Sequence, residues 1–330
     1  MTYDPNYINK MEKIFKKRIN YTGDLKNLSI KIAKDFKLGN YRAYKIIPIG
    51  YEDFNFFIKT TKGKFFVKIF STQRTLNDAK RIVGIMSKMY DAQIAIPKLY
   101  KSDQGNLHLL KDKGVNLRIC VMSFIDGKDF FSSGNTISNK DINFIAYQAA
   151  LINKLKITPK KVYDSWAISN FLPEFKKKNR YLDKDDLSLI KPLVADFKNL
   201  KIKSLPHCFA HGDIIKTNII KDKRGKIWLI DFSVANKYPR IQELAVLACD
   251  VLFDSSNQVK SQQKLKQALK EYQKTITLTE KEKKSLPVYI KLAHAMHVLC
   301  ATYEKKVNNN NSKENKYFLN IGRIGLRRLS

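Results

Sequence analysis

From residue 7 to residue 36 apolar and basic residues alternate at helical spacing, which predicts one or two helices broken at Thr22 and Gly23. The runs 54–61 and 64–70 are rich in aromatic and β-branched residues, with Lys62 and Gly63 between them, so they predict a β-hairpin. A helix is predicted over 75–90, with Ile82, Val83, Ile85, Met86 and Met89 on its apolar face. The stretch 94–100, which contains Pro97, leads toward a strand; 107–110 and 117–122 are strand-like, and 124–127 leaves the sheet.

From about residue 139 the period becomes helical, apart from one β-type patch made of 208–211, 218–221 and 226–232. Helices are predicted at about 240–253, 258–275 and 279–305, followed by a polar loop over 307–312 and a short basic helix. The pattern implies an α+β chain with a sheet-rich lobe at 1–122, a connector at 123–127 and a larger, mainly helical lobe at 128–330. No internal repeat is visible.

The chain has 330 residues, 44% of them hydrophobic and 28% charged, enough to bury a sizeable core. Its net charge of +32 comes from 62 Lys+Arg against 30 Asp+Glu. Such a charge fits either a polyanionic partner or a solvated lysine-rich surface. The lysines are spread along the whole chain without a nucleic-acid motif, so the second reading leads and nucleic acid stays the less favoured partner. Cys120, Cys208, Cys249 and Cys300 form no C-x-x-C pair and read as buried thiols in a reducing compartment. The N-terminus lacks an apolar signal core and no charge-free stretch is long enough to span a bilayer, so a soluble, cytoplasmic protein with no membrane partner is expected.

The chemistry concentrates in H-G-D-I-I-K-T-N over 211–218 and I-D-F over 230–232. Phosphoryl transfer needs a carboxylate to orient the attacking hydroxyl and hard oxygens to hold magnesium on the ATP phosphates. Asp213 and Asn218 stand at the two ends of one tight loop, and Asp231 is expected to end a strand of the hairpin that follows. Upstream, Lys68 lies inside the apolar strand 65–70, where it either snorkels at an edge or points at a charged ligand.

Over roughly residues 40–255 this pattern resembles the superfamily of aminoglycoside phosphotransferases, choline kinases and homoserine kinases. The resemblance implies a bilobal protein-kinase-like fold: a small antiparallel sheet in the first lobe and a mainly helical second lobe. It implies ATP and Mg2+ as cofactors, Asp213 as base, Asn218 and Asp231 as magnesium ligands, and His211 as a loop organiser. Lys68 would bind the phosphates. The turn from Gly50 to Asn55, which looks like that of homoserine-kinase-type members, would cover them. The backbone around Met122 and Phe124 would meet the adenine edge.

Three departures from the pattern stand out. No glutamate occurs between Lys68 and Cys120 to pair with the strand lysine, which leaves Asp78 as a candidate. The stretch 149–153 lacks the usual leucine–histidine pair, and Glu243 replaces the aspartate of D-L-A. Glu243 and Asp250 are candidates to grip a cationic substrate group. His294 and His297, three apart on an apolar helix, read either as core residues or as substrate contacts. The basic segment 322–330 reads as a packing helix with a charged face, or as a membrane or nucleic-acid contact.

The expected activity is transfer of phosphate from ATP to a hydroxyl of a small molecule, with homoserine or a related amino alcohol first. A sugar is left open, and an aminoglycoside is less favoured because so cationic a substrate needs more carboxylates. The alternative is a catalytically weak kinase-like module that binds nucleic acid or another polyanion through its basic surface. Phosphorylation of a protein ranks low, since the D-F-G and A-P-E landmarks are missing.

Overall fold

The structure is a computed structural model that describes residues 5–47 and 52–329. The chain divides into two compact units, Met1–Gly127 and Lys128–Ser330.

The first unit opens with helices α1 (Pro5–Arg18) and α2 (Leu25–Asp35). The break between them is wider than Thr22 and Gly23. It runs to Asp24, whose carboxylate caps α2 by accepting from the Asn27 N–H at 2.7 Å. Strands β1 (Tyr41–Ile46), β2 (Phe54–Thr60) and β3 (Gly63–Ile69) follow, then α3 (Leu76–Asp91) and strands β4 (Leu99–Tyr100), β5 (His108–Asp112) and β6 (Val115–Ser123). All pairings are antiparallel, in the order β1-β2-β3-β6-β4, with β5 also on β6.

Alternation sorts the two faces of this sheet. Phe54, Phe56 and Ile58 of β2, Phe65, Val67 and Ile69 of β3, and Leu117, Ile119 and Val121 of β6 are buried together against Phe15, Ile19, Leu25, Leu28 and Ile32 of the helices. Each such side chain contributes about 1.5–3 kcal/mol on burial. The N-terminal helices are therefore the cover of one sheet face within this unit. Asn55 and Lys68 occupy intervening positions and are cross-strand partners in register.

The short strand β7 (Gly127–Asp129) straddles the boundary, and α4 (Phe130–Ser133) and α5 (Asn139–Lys154) follow in the second unit. Next come α6 (Phe171–Lys178), α7 (Lys184–Ile190), α8 (Leu193–Asn199), and strands β8 (His207–Ala210), β9 (Ile219–Asp222), β10 (Ile227–Leu229) and β11 (Asn236–Pro239). Helices α9 (Ile241–Cys249), α10 (Gln258–Tyr272), α11 (Glu280–Val307) and α12 (Lys313–Leu329) complete it. The β-type patch is two small sheets, β10-β9-β7 and β11-β8. The sequence pattern did not announce β11, which carries Lys237 and Pro239 in a four-residue pairing with β8.

Two helices differ from expectation. The first of the late helices stops at Cys249, because Asp250 leaves helical geometry with φ −125° and ψ −73°. The closing basic helix is not short: α12 has 17 residues and buries Phe318, Ile321 and Leu326. It lies against α11 through Gly322 and Gly325, where an added Cβ would stand 2.8 Å from Val298 Cγ2 and 2.2 Å from His294 Nδ1. Among the described residues no helix is long and apolar enough to cross a membrane.

Candidate active site

Strand β8 delivers His211 into the core, where the ring is fully buried. Gly212 then turns at φ +81°, and a Cβ there would stand 3.0 Å from the Tyr238 ring, so only glycine meets both demands. The Asp213 N–H donates to His211 Nδ1 at 3.3 Å, which leaves the proton on Nε2 to donate to the Ile230 carbonyl at 3.1 Å. Burial pushes the imidazole pKa down to about 4, so the ring is neutral and ties the loop to the strand end.

Beyond it the loop folds on itself. The Ile215 N–H donates to the Asp213 carbonyl at 3.0 Å, and the Asn218 N–H to the Ile215 carbonyl at 2.9 Å. Asn218 Nδ2 then donates back to Asp213 Oδ2 at 2.7 Å and to the Asp213 carbonyl at 3.0 Å. The amide oxygen of Asn218 is thereby turned away from Asp213, a hard donor suited to magnesium. Asp231 lies two residues past the end of β10, not within it, in left-handed backbone at φ +65°. Its Oδ1 accepts the Ser233 N–H at 3.1 Å. The Asp213 pKa is raised well above the ordinary range, first by burial, then by repulsion from Asp164 and Asp231. Asp164, which the sequence pattern did not single out, is itself pushed up to about 6 by burial.

Glu243 and Asp250, expected to grip a substrate cation, are instead fully buried and committed to the loop backbone. Glu243 Oε2 accepts the His211 N–H at 2.7 Å, and Oε1 the Gly212 N–H at 3.3 Å. Asp250 Oδ1 accepts the Lys216 N–H at 2.7 Å. A carboxylate used this way satisfies otherwise orphaned loop donors. The Glu243 arm, one methylene longer than the aspartate of D-L-A, spans from α9 to two consecutive N–H groups.

His294 and His297 are not at the loop surface either. Both are buried, with Phe253 at 4.8 Å from the His294 ring and Phe318 at 5.0 Å from the His297 ring. They pack α11 against α12, so the core reading holds for them.

In the first unit, Lys68 and Asn55 sit opposite each other on β3 and β2, and Gly50 lies outside the described residues. A carboxylate that meets Lys68 is Asp53, just ahead of β2 rather than on α3. Asp53 is 5% exposed, with Oδ2 3.3 Å from Lys68 Nζ and Oδ1 accepting from the Ser71 N–H and from Arg74 Nε, each at 3.1 Å. Arg18 of α1 donates to the Asp53 carbonyl at 3.1 Å. Asp78 closes the capping box of α3, accepting from the Thr75 N–H at 2.8 Å. Met122 is buried in β6 opposite Phe66, and Phe124 lies 5.0 Å from the Phe57 ring.

The fold is kinase-like, with an antiparallel sheet in the first unit and helices dominating the second. The chain belongs to the phosphotransferase enzyme family (APH), which its residues 43–274 match. It is similar to a homoserine kinase of Nitrobacter hamburgensis (strain DSM 10229 / NCIMB 13809 / X14), 22% identical over 263 residues, which are 77% of each chain. Among solved structures it resembles the amicoumacin kinase hAmiN in complex with AMP-PNP, Ca2+ and Ami. That likeness has a TM-score of 0.67 at 14% identity and covers 96% of both chains. A microcompartment-associated aminopropanol kinase aligns with a TM-score of 0.65 at 11% identity, over 92% of this chain and 95% of that one. The protein is a small-molecule kinase.

Proposed function

We propose that the enzyme transfers the γ-phosphate of ATP to the hydroxyl of a small amino alcohol, with homoserine as the first candidate. The observation that carries this reading is the loop in which Asn218 Nδ2 holds Asp213 Oδ2 at 2.7 Å while Asp231 stands close enough to repel Asp213. Asp213 takes the acceptor hydroxyl on its free oxygen lone pairs, aligns it for in-line attack and receives its proton. Its raised pKa makes it a better proton acceptor than an ordinary aspartate. Asn218 and Asp231 offer hard oxygens of the kind that would hold magnesium. When bound, magnesium neutralises charge on those phosphates. Lys68, aimed by Asp53, would bind phosphate oxygens, and catalysis rests on placement and charge stabilisation.

Two features support an amino alcohol. Two of the relatives are named for homoserine and for aminopropanol. Asp164, Asp231 and Glu314 all act electrostatically on Asp213, so in a chain of net charge +32 the surroundings of this carboxyl are acidic. An ammonium group near the reacting hydroxyl would be stabilised there.

The test is ADP release from ATP and magnesium against homoserine, choline, ethanolamine, aminopropanol, sugars and aminoglycosides, with Asp213→Ala as control. Release stimulated by an amino alcohol and lost in the variant is the expected result. Stimulation by sugars alone would overturn the substrate class. No stimulation together with no ATP binding would favour the polyanion-binding reading that the net charge of +32 motivates.

A further inference from the structure

Residues 275–330 lie beyond the segment that matches the family, yet α12 from this tail reaches the loop that carries Asp213. Lys216 stands three residues after Asp213 and two before Asn218. Its two ends are held by different helices. The backbone N–H goes to Asp250 Oδ1 at the C-terminus of α9, at 2.7 Å. The ammonium donates to the Tyr317 hydroxyl of α12 at 2.8 Å and lies 5.3 Å from the centre of that ring. The ring is itself fixed, with Phe131 at 5.1 Å and Phe318 at 5.7 Å. One residue earlier, the Ile215 side chain is buried in a cluster with Phe318 and Ile321 of the same helix. The buried Asp250 carboxylate also meets the Tyr317 hydroxyl, so Asp250 and Tyr317 are linked to each other as well as to the two ends of Lys216.

We propose that Tyr317 is a positioning residue for the phosphotransfer: by holding the Lys216 ammonium on its hydroxyl it fixes the middle of the loop, and so the spacing of Asp213 and Asn218 at its ends. The inference rests on the kinase reading for its effect on rate, and on geometry alone for its effect on the loop. The ends of the loop have their own anchors. Glu243 holds His211 and Gly212, and the Ile230 N–H donates to the Asn218 carbonyl at 3.0 Å. Besides the loop's own backbone bonds, the middle is held by the buried side chains of Ile214 and Ile215 and by the two bonds of Lys216. A side chain in this position changes catalysis without touching either substrate, because a small misplacement of a base is costly in rate.

Tyr317→Phe keeps the ring and removes the hydroxyl; Lys216→Met keeps the length and removes the charge. In each, kcat falls about tenfold while KM for ATP and for the amino alcohol changes less than about twofold, as for an interaction that matters only at the transition state. The double variant is no slower than the slower single one, because both changes break the same link. Amide hydrogen exchange over 212–218 rises in both single variants, and the thermal midpoint stays near that of the parent. Unchanged exchange in this segment, or losses of kcat that multiply in the double variant, would overturn the proposal. A parent enzyme with no acceptor-dependent turnover would defeat the kinase reading instead, and the exchange measurement would still decide the role of Tyr317.

Discussion

Replacing Asp53 by Asn tests how the first unit holds its lysine. The carboxylate is 5% exposed and faces two cations, with the Lys68 side chain 15% and the Arg74 side chain 19% exposed. Removing one partner of a buried ion pair costs about 3–5 kcal/mol when the other is left without compensation. Here the cations reach some solvent and Arg74 also pairs with Glu52, so the loss falls to about 2–3 kcal/mol. Asparagine keeps one oxygen for the Ser71 N–H, which argues for the lower half of that range. With its counter-charge gone, Lys68 is no longer aimed, and kcat/KM for ATP falls by about 10–100-fold, equivalent to about 1.4–2.7 kcal/mol. KM for the acceptor changes little. Urea denaturation gives the first quantity and initial rates over an ATP series the second. Asp53→Asn that matches the parent in both would refute the assignment of Asp53 as the partner of Lys68. A loss equally large in Asp78→Asn would return that role to α3.

Other consequences follow from single features. Gly325→Ala should be destabilising by about 1–3 kcal/mol, since overpacking against His294 Nδ1, 2.2 Å from the new Cβ, outweighs the gain of up to about 1 kcal/mol that alanine brings to a helix; a higher denaturation midpoint would disprove it. His294 and His297 are held neutral, their pKa values pushed down by burial to about 3 and about 4. The unfolded chain therefore binds more protons below its own histidine pKa of about 6.5, so stability falls as pH drops from there toward 4, and His297→Leu should flatten that slope in denaturant titrations. Glu243→Gln keeps one acceptor for the His211 N–H but sets an amide NH2 against the Gly212 N–H; a cost of about 1–3 kcal/mol and a lower kcat are expected, and unaltered kinetics would remove Glu243 from the support of the loop.

Local rules carried the sequence reading a long way. The hairpin of β2 and β3, helix α3 and the loop with Asp213 and Asn218 are all encoded by neighbours in the chain, so periodicity and a short motif suffice. What escaped depends on partners far apart in sequence. Asp53 meets Arg18 and Arg74 only after β2 and β3 have paired, and nothing in a Glu-Asp dipeptide reports that. The resemblance directed attention to a carboxylate on α3, where Asp78 serves the helix end instead. Glu243 and Asp250 stood as candidates to grip a cationic substrate group because the resemblance places the late helices along the substrate cleft. Their partners are backbone N–H groups of the loop, which no side-chain pattern advertises. The end of β10 was overshot because 227–232 is apolar throughout but for Asp231, and only the positive φ of Asp231 reveals the turn.

The segments outside 43–274 do comparable work in the two units. In the first, α1 supplies Arg18 to the Asp53 carbonyl, and α1 and α2 bury the sheet face opposite to that of Lys68. In the second, α12 supplies Tyr317 to Lys216 and buries Phe318 and Ile321 against Ile215. Each addition lies behind a charged group, Lys68 or Lys216, for which a part in phosphoryl transfer is proposed above. Such bracing lets a partly buried charge keep one orientation without a bound ligand, which lowers the ordering cost when the ligand arrives. Substitutions in α1 that preserve folding should therefore act on nucleotide use, and those in α12 on rate, while leaving the choice of acceptor to residues nearer Asp213.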